Sequence, residues 1–67
     1  MELGIRIKRL RFEKNISQKD LAMASQVSQS TISKWESGAT IPNAYNIVAL
    51  AKCLDVTTDY LLGLEDF

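Results

Sequence analysis

Gln29, Ser30, Ser33 and Lys34 are the residues of this 67-residue sequence whose types and spacing could read another molecule. They lie in a stretch, residues 28–38, where Ile32 and Trp35 fall at i and i+3 as an apolar helical stripe. Ser30, Ser33, Lys34 and Ser37 then share the opposite face, with Gln29 at its amino end. Glutamine can pair bidentately with adenine, lysine reaches the acceptors of guanine, and serine suits either, so such a face fits the major groove of duplex DNA. Polar outward faces occur on most surface helices, and this one gains its weight only from the elements that position it.

Residues 17–38 hold two short helical patterns with room for nothing but a sharp turn between them. Each opens on a serine, Ser17 or Ser28, whose hydroxyl can accept from amides two or three residues on, and Asp20 completes an imperfect capping box. In the first pattern Leu21 and Ala22 face inward. If Val27 and Ile32 bury against Leu21, the second helix must cross the first closely, which requires a small residue, and Ala22 supplies it. Glu36-Ser37-Gly38 stops the second pattern. This is a helix-turn-helix signature.

The remaining chain reads as more helix. Residues 1–14 carry Leu3, Ile7 and Leu10 as a narrow stripe flanked by Arg11, and Lys14-Asn15 ends the segment because asparagine tolerates a left-handed cap. Ile5 and Phe12 fall on the other side of that helix among Lys8 and Arg9, and need cover from the tail or a partner if they are not simply exposed. Pro42 biases Ile41 toward an extended conformation, and Asn43 caps a fourth helix over 44–54 with Ile47, Leu50, Ala51 and Leu54 inward. Asp55 turns the chain, Val56 drops into the core, Thr57 caps a last helix over 58–62, and Gly63 ends it. The expected architecture is all-α, a compact five-helix bundle forming a single domain over 1–67.

Composition narrows the function. A chain this short buries roughly 60% of its unfolded surface, so it depends on well-packed helices. One cysteine, Cys53, excludes an internal disulfide, and the absence of histidine argues against zinc. No carboxylate pair on one face, reactive-cysteine environment or glycine-rich phosphate loop is present, so an enzyme is not expected and no cofactor is implied. No apolar run approaches the roughly 20 residues that span a bilayer, and a soluble, cytoplasmic protein is expected. The formal net charge is zero, yet residues 1–38 carry seven basic against four acidic side chains and residues 39–67 carry one against four. The positive half contains the helix-turn-helix, where phosphate attraction would be needed.

The joint spacing of Leu3-x-x-x-Ile7-x-x-Leu10-Arg11, Ser17-Gln18-x-x-Leu21-Ala22, Val27-Ser28, Ile32-Ser33-x-Trp35-Glu36-x-Gly38, Pro42, Leu50-Ala51-x-x-Leu54 and Asp59-Tyr60-Leu61-Leu62 closely resembles the Cro and phage-repressor (XRE-type) helix-turn-helix family. The resemblance implies a lambda-repressor-like domain whose third helix, residues 29–37, is the recognition helix, with Gln29, Ser30, Ser33 and Lys34 facing base edges. It implies that Gln18 contacts phosphate and that Ser28, Ser37 and Asn43 lie near the DNA backbone. It also implies an ion pair between Arg11 and Glu36, which their positions beside the inward stripes of two helices favour independently. Family members commonly pair through the fifth helix, where Val56, Tyr60, Leu64 and Phe67 are the available apolar groups, unless part of that patch folds back over Ile5 and Phe12.

The implied function is that of a transcriptional regulator, a repressor above all, binding a palindromic double-stranded operator as a homodimer. The alternative is an antitoxin-like interaction module of the same fold that also binds DNA. Four positions depart from the family pattern. Gln26 stands in place of a turn glycine, leaving room for a turn of different shape, and Ser25 replaces an apolar residue. Ala39-Thr40 replace a basic pair that commonly contacts phosphate, and Asp55 replaces a glycine.

Overall fold

A computed structural model describes residues 2–65. It has five helices: α1 (Leu3–Glu13), α2 (Gln18–Ser25), α3 (Gln29–Ser37), α4 (Ala44–Cys53) and α5 (Thr58–Leu61). Side chains start four of them. Ser17 accepts from the Asp20 amide, Ser28 from Thr31, Asn43 from Asn46 and Thr57 from Tyr60, each satisfying an amide that the helix itself leaves without an acceptor. Asn46 reciprocates toward the Asn43 amide, a capping box absent from the sequence-based expectation.

One device ends all five. A residue with positive φ follows each helix, namely Asn15, Gln26, Gly38, Asp55 and Gly63. The amide of the next residue then reaches back to the carbonyl five positions earlier: Ile16 to Arg11, Val27 to Ala22, Ala39 to Lys34, Val56 to Ala51, and Leu64 to Asp59. These are Schellman closures, and the residue after the left-handed one is usually apolar because it packs on the last turn. Gln26 adopts φ 61 and ψ 40. The turn of the helix-turn-helix therefore keeps the left-handed form despite lacking glycine, and the altered shape left open by Gln26 does not occur. Asp55 tolerates the same geometry, as anticipated. Helices α1, α4 and α5 each stop one residue earlier than expected, at Glu13, Cys53 and Leu61, where Lys14, Leu54 and Leu62 serve as caps.

Each helix contributes at least one fully buried side chain to a shared core: Ile7, Leu21, Ile32, Leu50 and Leu61, joined by Leu54. Helix α3 packs on α1 and α2, α4 on α2 and α5, and α5 closes back on α1. Ile16, Val27, Ile47, Val56 and Tyr60 are half-buried around this centre. Ser25 is buried without an apolar side chain because its hydroxyl donates to the Leu21 carbonyl at 2.6 Å.

Gly4 marks a close approach of α1 to α3. A Cβ there would lie 2.8 Å from the Glu36 carbonyl oxygen and closer still to that of Trp35, so the last turn of α3 rests directly on the backbone of α1. Among the described residues no helix is long and apolar enough to cross a membrane.

Candidate nucleic-acid interface

Burying Ile32 and Trp35 turns the other face of α3 outward, and Gln29, Ser30, Ser33 and Lys34 are all exposed there. The Ser28 cap fixes the start of this helix, and its hydroxyl also shares a 2.8 Å hydrogen bond with Thr31 Oγ1. Gly38, at φ 83, fixes its end. The four side chains thus sit on a short rigid rod anchored at both termini.

The backbone-side candidates are already engaged within the chain. Ser28 and Asn43 cap α3 and α4, while the Ser37 hydroxyl donates to the Lys34 carbonyl at 3.1 Å. What Ser28 and Asn43 offer an anion is chiefly the first free amides of α3 and α4, at the positive end of each dipole, whereas Ser37 sits at the opposite end of α3. Gln18 is half-buried at the head of α2, and its amide nitrogen donates to Glu36 Oε1 at 3.0 Å.

Arg11 and Glu36 form the expected ion pair. Arg11 Nε donates to Oε2 at 2.7 Å and Nη2 to Oε1 at 3.1 Å, with the two side chains only 9% and 5% exposed. The remaining guanidinium nitrogen, Nη1, donates to the Ile16 carbonyl at 3.1 Å, so one side chain ties α1, the α1–α2 connection and α3 together. Burial alone would raise the Glu36 carboxyl. Hydrogen bonds from Arg11 and Gln18, with the charges of Arg11 and Lys8, outweigh it and hold the group below its ordinary value.

The apolar groups considered for pairing separate into different environments. Val56 and Tyr60 are half-buried against the core, and Arg6 lies over the Tyr60 ring with Cζ 5.6 Å from the centroid. Leu64 is 73% exposed, and Phe67 lies outside the described residues. Within the described residues the tail leaves Ile5 and Phe12 uncovered, at 55% and 62% exposure. One face of Phe12 instead covers the Arg11 guanidinium. Sequence reasoning missed that contact, the Gln18–Glu36 bond and the approach at Gly4; of these only Gly4 carried a signal, as a glycine inside a helical stretch.

A five-helix bundle that seats its third helix on the first two and turns that helix's polar face outward is a helix-turn-helix DNA-binding domain. The family profile described as Helix-turn-helix matches residues 5–61, and the chain belongs to that family, in its Cro/C1 (XRE) branch of DNA-binding regulators. The sequence is 41% identical over 66 residues, 98% of the chain, to the HTH-type transcriptional activator BcrR of Enterococcus faecalis. It is 42% identical over 60 residues, 90% of the chain, to Repressor protein C2 of Salmonella phage P22. It spans 32% and 28% of the length of those two relatives. The structure is similar to the P22 c2 repressor in complex with a synthetic operator, with a TM-score of 0.89 and 38% identity over 97% of this chain and 98% of that one.

Proposed function

We propose that the chain binds a palindromic double-stranded operator as a homodimer, each subunit laying α3 in one major groove with half-sites about one helical turn apart. In this reading Gln29, Ser30, Ser33 and Lys34 meet base edges. Gln18 meets a phosphate, Ser28 and Asn43 hold helix heads whose free amides face the backbone, and Ser37, in the last turn of α3, lies near it. The observation that carries it is the exposure of those four α3 side chains directly opposite the buried Ile32 and Trp35. Leu64, the most exposed of the described pairing candidates, supplies an apolar contact across the two-fold axis, with Val56 and Tyr60 behind it. Occupying a promoter is enough to repress it, so repression in the cytoplasm is the simplest outcome, although the relatives above include both an activator and a repressor. Selection of bound duplexes from a random pool tests the reading. One enriched motif with internal symmetry supports it, and a pool without enrichment sinks it.

A further inference from the structure

Glu36 contacts more than its ion-pair partner. Its Oε1 accepts from both Arg11 Nη2 and the Gln18 carboxamide nitrogen, at 3.1 and 3.0 Å. Arg11 is itself held by Glu36 Oε2 and by the Ile16 carbonyl, two residues before Gln18. A glutamine side chain free at a helix head samples many rotamers, and fixing it at a phosphate would cost that freedom at the moment of binding. Here a hydrogen bond to Glu36 engages it before any DNA is bound.

The chemistry of the holder also matters. A carboxylate only accepts, so it draws the nitrogen of the carboxamide toward itself and rejects the flipped orientation that would present the oxygen. One amide hydrogen is used on Glu36, and the second makes no hydrogen bond among the described residues. A bare carboxylate near a phosphate would repel it, but Arg11 neutralises this one through two hydrogen bonds.

We propose that Glu36, neutralised by Arg11, is a positioning residue for DNA-backbone binding, holding the Gln18 carboxamide with one N–H available to a phosphate oxygen. The proposal rests on the reading of Gln18 as a phosphate contact.

The test measures affinity of the full chain for an operator duplex and a random duplex, with Gln18→Ala introduced into the wild type and into an Arg11→Met/Glu36→Leu background. In the wild type, losing one charge-assisted hydrogen bond should weaken both duplexes about tenfold. In the apolar-pair background the same change should cost about twofold or less, because Gln18 is no longer held. An equal tenfold loss in both backgrounds overturns the proposal while leaving the phosphate contact standing. No loss in the wild type overturns the phosphate contact and the positioning role with it. Nitrogen relaxation of the side-chain amides in the free wild-type protein needs neither DNA nor a variant. A Gln18 carboxamide markedly more ordered than that of exposed Gln29 supports the proposal, and one equally mobile overturns it.

Discussion

Arg11 and Phe12 are adjacent, one pointing inward and the other outward, yet the Arg11 Cζ lies 4.7 Å from the centroid of the Phe12 ring. The ring screens one side of the ion pair that joins α1 to α3, and its exposed face is the outside of that screen. Phe12→Ala should cost about 1 kcal/mol in the wild type, and much less where Arg11 is already methionine. Removing Arg11 or Glu36 alone should cost on the order of 3 kcal/mol by leaving a shielded charge unpaired, whereas Arg11→Met/Glu36→Leu together should cost far less. Urea unfolding of the single and double variants measures each term. Equal, small losses throughout would mean that the pair contributes nothing.

The lowered Glu36 carboxyl sets an acid limit. Because its folded pKa lies below the unfolded value of about 4.3, its contribution is complete above that value and is lost as pH falls through the folded pKa. Stability measured from pH 7 down to pH 2 should therefore stay level with respect to this group until about pH 5 and then decline. Glu36→Gln should remove part of that decline, and an unchanged acid slope in this variant would contradict the assignment.

At Gly4 helix propensity and packing oppose one another. Alanine is favoured over glycine within a helix by about 1 kcal/mol. Its Cβ would nevertheless collide with the Trp35 and Glu36 carbonyls, which belong to backbone and cannot swing aside. Gly4→Ala should therefore destabilise the domain by about 1 to 3 kcal/mol. It should also weaken DNA binding beyond the loss of folded protein, since the displaced segment is the carboxyl end of α3. Thermal unfolding beside operator titration separates the two effects.

Helix existence, the four side-chain caps, the inward stripes and the Arg11–Glu36 pair were all legible in the sequence, because each rests on local spacing or on residue types with one strong preference. The turn at Gln26 was not, since glutamine has no evident reason to be left-handed until Val27 and Ala22 form the closing hydrogen bond around it. The role of Gln18 was also only half legible. Its place at the head of α2 suggested an anion, but the acceptor that holds it, Glu36, is 18 residues away and is brought there by the packing of α3. Phe12 read as either simply exposed or covered from a distance; it is largely exposed, and the group its ring does meet is the preceding residue, Arg11.

Gln26 gives a direct measure of that turn. A non-glycine residue in the left-handed region costs about 1 kcal/mol or more, offset in part by the greater unfolded-state entropy of glycine. Gln26→Gly should stabilise the domain by about 0.5 kcal/mol, whereas a β-branched residue such as valine should destabilise it by more than 1 kcal/mol, roughly. Chemical denaturation reads both. A loss of stability in Gln26→Gly would show that the glutamine side chain contributes more than its backbone strain removes.

Reading and holding should respond differently to mutation and to salt. Gln29 lies at the amino end of α3 and Lys34 further along the same exposed face, so both can reach base edges while the helix lies in the groove. Gln29→Ala or Lys34→Ala should cost roughly 1 to 3 kcal/mol on the selected site and much less on random DNA, flattening the preference at particular base positions. Gln18→Ala should weaken all sequences about equally, because a phosphate is the same everywhere. The loop after α3 begins Ala39-Thr40 and offers no basic side chain there, so in the proposed complex few phosphates would be neutralised per subunit and the logarithmic dependence of affinity on salt should be shallow. Replacing Ala39 and Thr40 with arginine and lysine should steepen that dependence by up to about two units per subunit, with little change in base preference. Titrations of selected and random duplexes across a salt series supply every number required. If Gln29→Ala and Lys34→Ala lose the same factor on both duplexes, α3 is not the reading element, and the exposed face opposite Ile32 and Trp35 has another use.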